Sequence, residues 1–590
     1  MGSIKERAKF YLKRVKEGRL KEAWAQTKWI YGYAKRYWLA MIFYTALGLS
    51  GVVTGLFGTW VSKDVVDIIT GHKTGEIIKY FALMIGIAVV NILIGQITSY
   101  ASSWISIKVG QELSSEMYEK IMETDWESLT NYHTGDLLTR WGTDTATIAS
   151  GVLNFIPNLI INIFRLISAF WMVIKNDWTF MVFALAGIPV SMILSKTLIN
   201  RMQNNNKRSM AMSAKMSGFN QESFANIQTI KAFDLVRLYV ANLKQLQKEY
   251  KDMKLEFQRM SIWTSVILGL VGLLVSYSSY GWGIYRVWSG AISYGSMTMF
   301  LSLSGQLTGS VNQLASMIPS AISLTISAGR LMDIVEMPRE DYSKYPEAQE
   351  FLKAHRDEGL SLSVRDVTYA YKNGTEVFSA ASFEAKPHEI IGLVGPSGEG
   401  KTTMLRLLLA LMPPKEGKIA IVAGNQEEME NAPYMRQFFS YVPQGNTMLS
   451  GTIRSNLLNV KPDATDEEMI DALERACAWE FVEKLPAKLD AEVKERGGGF
   501  SEGQGQRLAI ARALLRKAPI LLLDEASSAL DVATERKVLK NIMQDTYPRV
   551  CIVTTHRPTV LNLCKRVYAI RNKGCEMLEQ DEVDRLIKDF

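Results

Sequence analysis

Six long stretches of the chain carry no charged residue, and they constrain the fold more than any other feature. They span residues 37–61, 80–107, 145–164, 178–195, 260–285 and 287–329. Each is near or above the roughly 20 residues that an α-helix needs to cross the hydrocarbon core of a bilayer. One such stretch could be a buried helix of a soluble protein. Six in series predict a membrane domain instead.

The number and direction of the spans follow from the charges around them. Arg165 interrupts the third stretch without ending it, and the last stretch is long enough for an outer loop followed by one helix from about Ser296. We therefore expect six spans within residues 37–330. Residues 1–36 contain eleven Lys or Arg against three Glu, which places this end in the cytoplasm. With six spans, a polar linker at 331–359 and a domain at 360–590 return to the cytoplasmic side.

The basic N-terminal segment accounts for most of the net charge of +7. Aromatic residues alternate with lysines over residues 20–35, which is typical of a helix lying in the membrane interface beside lipid. A merely solvated basic tail is the alternative. No nucleic-acid-binding signature accompanies the charge, so no nucleic acid partner is expected. The four cysteines lack metal-ligand spacing and are expected to be reduced thiols.

Glycines recur along the first span, at Gly48, Gly51, Gly55 and Gly58. Small residues at this spacing let helices approach closely in lipid. We interpret them as helix-packing positions rather than as substrate contacts.

The segment 395–402, Gly-Pro-Ser-Gly-Glu-Gly-Lys-Thr, matches the phosphate-binding pattern G-x-x-x-x-G-K-[ST]. An apolar run precedes it and a helical pattern follows, as this pattern requires. Such a loop turns main-chain N–H groups toward a triphosphate, here expected to be ATP. We expect Lys401 on the phosphates and the Thr402 hydroxyl on Mg²⁺. The other residues predicted to surround ATP in this segment are Gly395, Ser397, Gly398, Gly400 and Thr403.

A second apolar run, 520–523, ends in the two carboxylates Asp524 and Glu525. Together with the phosphate loop upstream, this is the Walker B arrangement of an ATPase with an α/β fold. Asp524 is predicted to hold Mg²⁺ through its coordination shell. Glu525, just past the strand, is predicted to polarise the attacking water.

With these motifs the chain resembles an ATP-binding cassette (ABC) exporter half-transporter, in which six membrane helices precede one nucleotide-binding domain. The resemblance covers nearly the whole chain and implies an α-helical membrane domain followed by an α/β P-loop ATPase domain. It implies that Tyr371 stacks on adenine, although a simple strand aromatic is the alternative. It further implies that Gln444 contacts Mg²⁺ and nucleotide, that Asp531 belongs to the D-loop, and that His556 contacts the γ-phosphate.

The segment 500–504, Phe-Ser-Glu-Gly-Gln, stands where this family has its signature loop. Ser501, Gly503 and Gln504 match the family pattern, and the resemblance implies that they contact ATP bound by the opposite subunit. Glu502 replaces the usual glycine, and Gly505 replaces a usual basic residue. An acid here either slows closure on the triphosphate or points away from it, and we favour the second interpretation because the other catalytic elements are intact.

Two polar, helix-patterned loops at 108–144 and 196–259 are expected on the cytoplasmic side. In the family such loops are coupling regions that contact the ATPase domain. Residues 126–140 resemble the first coupling region and residues 222–239 the second. Glu495 matches the glutamate that contacts them.

One chain has one phosphate loop and one signature, so the resemblance implies a homodimer with two composite sites. The expected activity is ATP-driven export of an amphipathic peptide, lipid or hydrophobic drug by alternating access. Half of a heterodimer with a degenerate site, and an ATP-gated channel or sensor, are the alternatives. Arg165, Tyr277 and Gln306 are candidate substrate-cavity residues. Arg165 either meets an anionic substrate group or pairs with Asp64 or Asp67.

Overall fold

The computed structural model describes residues 19–180, 182, 208, 212–213, 215–445, 447–494, 497–555 and 557–589. The chain divides into two compact units. A helical unit contains Met1–Met122 and Tyr132–Met337, and an α/β unit contains Glu123–Asn131 and Pro338–Phe590. The short segment Glu123–Asn131 therefore belongs to the α/β unit, although the helical unit flanks it on both sides in sequence.

Long helices build the helical unit, as the uncharged stretches predict. Its labelled helices are α1 Arg19–Arg36, α2 Trp38–Ile69, α3 Ile77–Met122, α5 Thr134–Thr139, α6 Thr145–Asn176, α7 Ile227–Ala232, α8 Val236–Trp288 and α9 Tyr294–Val335, and residues 215–225 are also helical. Within the described residues, three helical segments are long and apolar enough to cross a membrane, namely Trp38–Ile69, Ile77–Met122 and Thr134–Asn176. The predicted span 178–195 lies almost wholly outside the described residues. The α8 helix alone is about 80 Å long.

The glycines of α2 pack against a neighbouring helix, as predicted. A Cβ atom added at Gly51, Gly55 or Gly58 would lie 3.1–3.4 Å from side chains of α3, and one at Gly48 would overlap Ile161 of α6. The first three glycines therefore form the stripe along which α2 and α3 approach each other. This confirms the packing interpretation of the motif.

A single π-helical turn, Arg140–Asp144, joins α5 to α6. It lies within a cluster of charged side chains that we call the inner ion network, formed by Asp136, Arg140, Asp144, Arg330 and Asp333. Arg330 bonds Asp136 at 2.7 Å and Asp144 at 3.1 Å, and Arg140 bonds Asp136 at 2.9 Å and Asp333 at 3.2 Å. The network therefore ties the start of α6 to the end of α9.

Ion pairs also hold the opposite ends of the helices. Arg286, near the end of α8, bonds Asp177 at 2.7 Å. The carboxylate of Asp67 accepts a hydrogen bond from the main-chain N–H of Gly295 at 3.0 Å, and Asp64 pairs with Lys73 at 2.5 Å. Both aspartates near the end of α2 are thus already engaged.

Three sheets form the α/β unit. A six-stranded sheet has the order β12-β11-β3-β10-β9-β6, a four-stranded antiparallel sheet has the order β2-β1-β4-β5, and β7 pairs with β8. The strands are β1 Ser361–Ala370, β2 Glu376–Ala385, β3 Glu389–Val394, β4 Glu416–Val422, β5 Glu428–Glu430, β6 Phe439–Val442, β7 Gly451–Thr452, β8 Glu492–Val493, β9 Ile520–Asp524, β10 Val550–Thr554, β11 Arg566–Arg571 and β12 Gly574–Met577. In the six-stranded sheet only β12 runs antiparallel to its neighbour.

Helices cover the six-stranded sheet and link its parallel strands. The helices of this unit are α4 Trp126–Leu129, α10 Tyr345–His355, α11 Lys401–Leu408, α12 Ile453–Leu458, α13 Asp466–Arg475, α14 Trp479–Val482, α15 Glu502–Leu515, α16 Val532–Met543, α17 Pro558–Leu561 and α18 Gln580–Asp589, with 3-10 turns at Pro433–Phe438 and Lys488–Asp490. Strands β3, β9 and β10 are buried along their whole length, as expected for parallel strands covered on both faces. Because they run parallel, their carboxyl ends meet at one edge of the sheet.

Candidate functional site

The phosphate loop joins the end of β3 to the start of α11, as its sequence predicts. Gly400 has φ of 112°, in the left-handed region, and a Cβ atom there would lie 2.6 Å from Val377. A Cβ atom at Gly395 would lie 2.5 Å from the carbonyl oxygen of Ile570. Both positions therefore need glycine for this turn. Ser397 and Gly398 are exposed on the loop between them.

Lys401, the first residue of α11, folds back onto its own loop. Its Nζ donates to the carbonyl oxygens of Gly395 at 2.6 Å and Pro396 at 3.0 Å. Burial lowers the pKa of Lys401, because a buried ammonium loses its hydration. A bound phosphate would give this ammonium an anionic partner in place of the two carbonyl oxygens.

Oxygen atoms suited to Mg²⁺ gather where β9 and β10 end beside the phosphate loop. Asp524 is buried, and its Oδ1 accepts from the hydroxyls of Thr554 at 2.7 Å and Thr402 at 3.4 Å. The Tyr441 hydroxyl lies 3.4 Å from Oδ2, and burial beside this carboxylate raises the pKa of the phenol. Hydroxyl and carboxylate oxygens are the donors that Mg²⁺ prefers, so these residues fit that ion.

Glu525 follows Asp524 in a left-handed main-chain conformation, with φ of 47°. This uncommon geometry turns the chain sharply at the strand end. The Glu525 N–H donates to the Thr554 hydroxyl at 3.0 Å, and the Gln444 Nε2 donates to Glu525 Oε2 at 2.9 Å. The residue predicted to sense the metal thus holds the residue predicted to activate water.

Tyr371 lies just after β1, beside the start of α11. Its hydroxyl is 2.8 Å from the Thr403 hydroxyl, and its ring packs edge-on against Tyr369. The side chain is half-buried, so part of the ring is available to a ligand next to the phosphate loop. Stacking on adenine remains a prediction for this residue.

The signature segment forms the N-terminus of α15. Ser501 caps the helix by accepting from the Gln504 N–H at 3.3 Å, and Gln504 Oε1 accepts from the Ser501 N–H at 2.9 Å. This reciprocal capping box explains why both residues occur here. Glu502, exposed in the first turn, also favours the helix because its charge opposes the positive end of the helix dipole.

The signature helix is fastened to the turn that follows Glu525. A Cβ atom at Gly503 would lie 2.8 Å from the carbonyl oxygen of Ala529. Gln506 is fully buried, where it donates to the Ser528 hydroxyl at 3.3 Å and accepts from the Ala529 N–H at 3.1 Å. Asp531 then caps α16 by accepting from the Thr534 N–H at 2.9 Å. The signature and the D-loop therefore belong to one packed assembly.

Two residues named by the sequence, His556 and Glu495, lie outside the described residues. Thr555 and Arg557, on either side of His556, are described. Arg557 donates to the Leu530 carbonyl oxygen at 2.8 Å, which connects this loop to the D-loop.

Sequence reasoning missed a connection around the predicted linker. Residues 123–125 pair with residues 338–340 through a β-bridge between Thr124 and Arg339 and a hydrogen bond from the Glu340 N–H to the Glu123 carbonyl oxygen at 2.9 Å. Nearby, Lys372 lies 3.8 Å from Glu127 of α4. The residues just before the predicted first coupling region are therefore joined to residues 338–340 by main-chain hydrogen bonds.

Glu340 continues this connection into the body of the α/β unit. Both of its oxygens accept from Arg436, with Oε1 to Nη2 at 2.7 Å. Arg436 also donates to the carbonyl oxygens of Leu409 and Ala410, each at 2.8 Å, just past the end of α11. No local motif marks Glu340 or Arg436, since they are 96 residues apart and only folding brings them together.

The three candidate substrate residues are not brought together in one cavity wall. Gln306 donates to Thr59 of α2 at 3.3 Å, and Tyr277 is 71% exposed on α8. Arg165 has no ion-pair partner among the described residues, and the structure does not support its pairing with Asp64 or Asp67, which bind other groups. Their contact with substrate remains a prediction.

A groove between α6 and α9 offers a better-defined cavity in the helical unit. It encloses about 370 Å³. Its polar lining consists of Thr147, Ser150, Asn158, Gln313, Ser320 and Ser323. Phe155, Met317 and Leu324 supply apolar walls, and the Leu324 side chain packs directly against Gly151, where a Cβ atom would overlap it.

Two family models match this chain, one in each half. The ABC transporter transmembrane region matches residues 41–311, and the ABC transporter model matches residues 378–528. A multidrug resistance ABC transporter ATP-binding and permease protein of Lactococcus lactis is 27% identical over 88% of each chain. An ATP-dependent lipid A-core flippase of Chromobacterium violaceum is 26% identical over 93% of each chain.

The fold is also that of a solved exporter structure. A bacterial Atm1-family ABC exporter with ATP bound superimposes with a TM-score of 0.78 at 20% identity, covering 94% of this chain and 96% of that one. The helical membrane domain and the α/β domain thus occur in the same order in one chain. The matches and the nucleotide-site geometry together identify a multi-pass membrane protein with a cytoplasmic ATPase domain, and the chain belongs to the ABC transporter family as an exporter that couples ATP hydrolysis to transport.

Proposed function

We propose that two copies of this chain form a homodimer that exports an amphipathic substrate by alternating access. The observation that carries this proposal is the convergence of Thr402, Gln444, Asp524 and Glu525 through side-chain hydrogen bonds beside the phosphate loop. Each ATP would lie between the phosphate loop of one copy and Ser501 of the other. Each copy would contribute six membrane helices from residues 37–330, joined through a linker at 331–359 to an ATPase domain at 360–590.

The nucleotide site has the groups that ATP hydrolysis requires. Lys401 would leave its loop carbonyls for the phosphates, and Tyr371 would stack on adenine. Thr402, Asp524 and the amide oxygen of Gln444 would hold Mg²⁺, which when bound neutralises charge on the phosphates. Glu525 would orient the attacking water and accept its proton, and His556 would contact the γ-phosphate.

A switch of the Gln444 amide from Glu525 to a metal would provide a physical trigger for this cycle. While the Gln444 amide donates to Glu525, one oxygen of the carboxylate is engaged by this residue. Turning the amide oxygen toward a metal would release Glu525 for catalysis. Metal arrival and base activation would then occur together.

Two considerations support the proposed substrate class. The named relatives act on drugs and on a lipid, and the groove between α6 and α9 has both polar and apolar walls. Both favour an amphipathic cargo. In the alternative function, as half of a heterodimer, Glu502 would mark a degenerate site.

Complementary variants test the composite site directly. In dimers purified through two different tags, one copy carries Glu525→Gln and the other Ser501→Ala. One site then contains both defects and the other contains none, so about half of the wild-type ATPase rate is expected. The control dimer carries both substitutions on one copy and none on the other, which leaves one defect in each site and very little activity. Equal rates in the two dimers would refute composite sites.

Transport itself is measured as ATP-dependent uptake by inside-out vesicles, with fluorescent lipids, peptides or hydrophobic drugs supplied on the outward-facing cytoplasmic side. ATP-dependent movement of at least one amphipathic compound is expected, and dimers of Glu525→Gln should abolish it. ATP hydrolysis without movement of any tested class, together with an ATP-dependent conductance, would favour a channel. Absence of a dimer when the chain is purified alone would favour the heterodimer.

A further inference from the structure

The groove between α6 and α9 lies at a defined depth in the bilayer. Its inner end is marked by the ion network, because Asp144 and Arg330 are bonded to each other just below Thr147 and Ser327 donates to Asp144 at 2.8 Å. At the outer end, Lys175 is the next charged residue of α6 after Arg165. A hydrocarbon core of about 30 Å corresponds to about 20 residues of α6 inward from Lys175, which ends near Phe155. The groove therefore lies at the polar boundary of the inner leaflet.

Uncharged hydrogen-bonding groups dominate the wall of the groove. Hydroxyl and amide groups come from both helices, and the charged side chains of the inner ion network are bonded to one another below it. The Asn158 amide also accepts from the Tyr44 hydroxyl at 3.3 Å, which fixes its orientation. Phe155 and Leu324 lie beside these polar groups. A ligand with a hydroxyl- or amide-bearing head and an apolar body matches this wall.

Arg165 continues the groove along α6. It is seven residues beyond Asn158, which corresponds to a rise of about 10 Å along the helix. Seven residues also complete two helical turns to within about 20°, so the two residues share one face of the helix. Ten residues, or about 15 Å, separate Arg165 from Lys175, so the guanidinium is near the centre of the bilayer. A charge at this depth is costly unless it serves function or finds a partner. The aspartates at the end of α2 are engaged elsewhere.

Pro157 lies inside α6, one residue before Asn158 of the groove wall. A proline within a membrane helix removes one main-chain hydrogen bond and leaves the carbonyl oxygen four residues earlier without its intrahelical donor. Such a carbonyl is tolerated at this depth where other groups or a polar cavity can satisfy it. Here that carbonyl belongs to residue 153, so the added polarity lies in the groove-lining part of α6.

We propose that the groove binds the headgroup of an anionic, lipid-like amphiphile drawn from the inner leaflet, and that Arg165 pairs with its anionic group midway across the membrane. This inference rests on the proposed export function and names its substrate class. The uncharged wall receives the headgroup through hydrogen bonds at the leaflet boundary. Arg165 then compensates the negative charge at the depth where a bilayer would oppose it most.

The test uses the full-length dimer in vesicles of phosphatidylcholine containing either fluorescent phosphatidylglycerol or fluorescent phosphatidylcholine. The measured quantity is the ratio of ATP-dependent movement of the anionic lipid to that of the zwitterionic lipid. We expect a ratio well above one for the wild type. Arg165→Gln should reduce this ratio about tenfold or more, whereas Arg165→Lys, which keeps the charge, should retain most of it.

A second variant tests the groove separately from the arginine. Ser150→Ala combined with Ser320→Ala removes two hydroxyls from the wall, and it should raise the lipid concentration for half-maximal ATPase stimulation about five- to tenfold. The control is Ser168→Ala, which removes a hydroxyl of the same helix outside the groove lining, and it should behave as the wild type.

Several outcomes would overturn the inference. An unchanged lipid ratio in Arg165→Gln, or equal loss in Arg165→Lys and Arg165→Gln, would remove the charge role of Arg165. A wild type that moves zwitterionic lipid, a peptide or a cationic drug but not the anionic lipid would refute the substrate class while leaving the export function intact. Movement of no amphiphile at all, with Glu525-dependent ATPase activity retained, would refute the export function itself.

Discussion

The α/β unit and the helical unit differ in how their functional groups are specified. In the α/β unit, short motifs carry function, and a segment such as the phosphate loop has its geometry largely encoded in its own glycines. In the helical unit, the groove between α6 and α9 arises from residues spread over two helices more than 150 residues apart in sequence. The groups that act on the nucleotide come from short sequence motifs. The proposed recognition of cargo depends instead on which faces of two distant helices pack together. Variants in the two units should therefore fail in different ways.

The largest effect is expected for Glu525→Gln, at the centre of the locally encoded chemistry. Loss of the proposed general base should lower the rate of ATP hydrolysis about 10²- to 10⁴-fold while ATP binding is retained. Steady-state ATPase assays and nucleotide-binding titrations measure the two quantities. Glu579→Gln, an exposed carboxylate away from the site, is the matched control. If Glu525→Gln hydrolysed ATP at an undiminished rate, another residue would have to be the general base.

Thr554→Val tests how far the motif residues depend on their neighbours. The Thr554 hydroxyl supports both the Asp524 carboxylate and the Glu525 N–H, so its loss removes the 2.7 Å hydrogen bond to a buried carboxylate and leaves the Glu525 N–H with its longer bond to the Thr554 carbonyl oxygen at 3.3 Å. We expect a roughly 10- to 100-fold lower turnover with a raised Mg²⁺ requirement. Thr554→Ser should restore both values. If the serine variant were as impaired as valine, the side-chain packing rather than the hydroxyl would be responsible.

Glu340→Ala tests the connection that runs from residues 123–125, just before the predicted first coupling region, to the end of α11. Removing the carboxylate frees Arg436, which also binds the carbonyl oxygens of Leu409 and Ala410. Substrate stimulation of ATPase activity should fall about 5- to 30-fold relative to the basal rate, since the substitution breaks an element that links coupling segment and catalytic domain. The exposed Glu347→Ala on α10 is the control. Retained stimulation would show that another contact transmits the signal.

The smallest effect is expected for Glu502→Gly. An acid at the start of α15 favours the helix but would repel a triphosphate held by the partner subunit. At an exposed position such a repulsion is worth about 1 kcal/mol or less, so the KM for ATP should fall about two- to fivefold. Ser501→Ala at the neighbouring position should act in the opposite direction and much more strongly, with most of the hydrolysis at that composite site lost. An unchanged KM would indicate that Glu502 points away from the nucleotide.

Much of the α/β unit could be predicted from the sequence, because its motifs combine residue identity with strand or helix position. The apolar run before the phosphate loop forms β3, and the two acids follow the second apolar run at the end of β9, as the patterns indicate. Glu340 and Arg436 could not be found this way. Each is an ordinary surface-type residue in sequence, and their partnership exists only after residues 338–340 pair with residues 123–125.

In the helical unit, the sequence predicted where helices occur but not which faces meet. The glycines of α2 were informative because only close packing requires them. Arg165 was conspicuous because charge is rare at this depth, yet its two proposed carboxylate partners bind Lys73 and the Gly295 N–H instead. Serines such as Ser150 and Ser320 gave no signal, since hydroxyls are common in membrane helices and their meaning depends on the opposite helix.

The number of residues in the π turn at Arg140–Asp144 determines how the membrane helix that follows it is rotated about its axis. A π turn accommodates one more residue than an α turn, and deletion of that residue would rotate the rest of α6 by about 100° relative to the ion network below. The face that carries Ser150, Asn158 and Arg165 would then turn away from α9 as a block. One deletion or insertion could thus exchange the whole surface that we propose faces the cargo, without altering any residue of the nucleotide site. In an ancestral lineage, a change of cargo would not have to accumulate one side chain at a time.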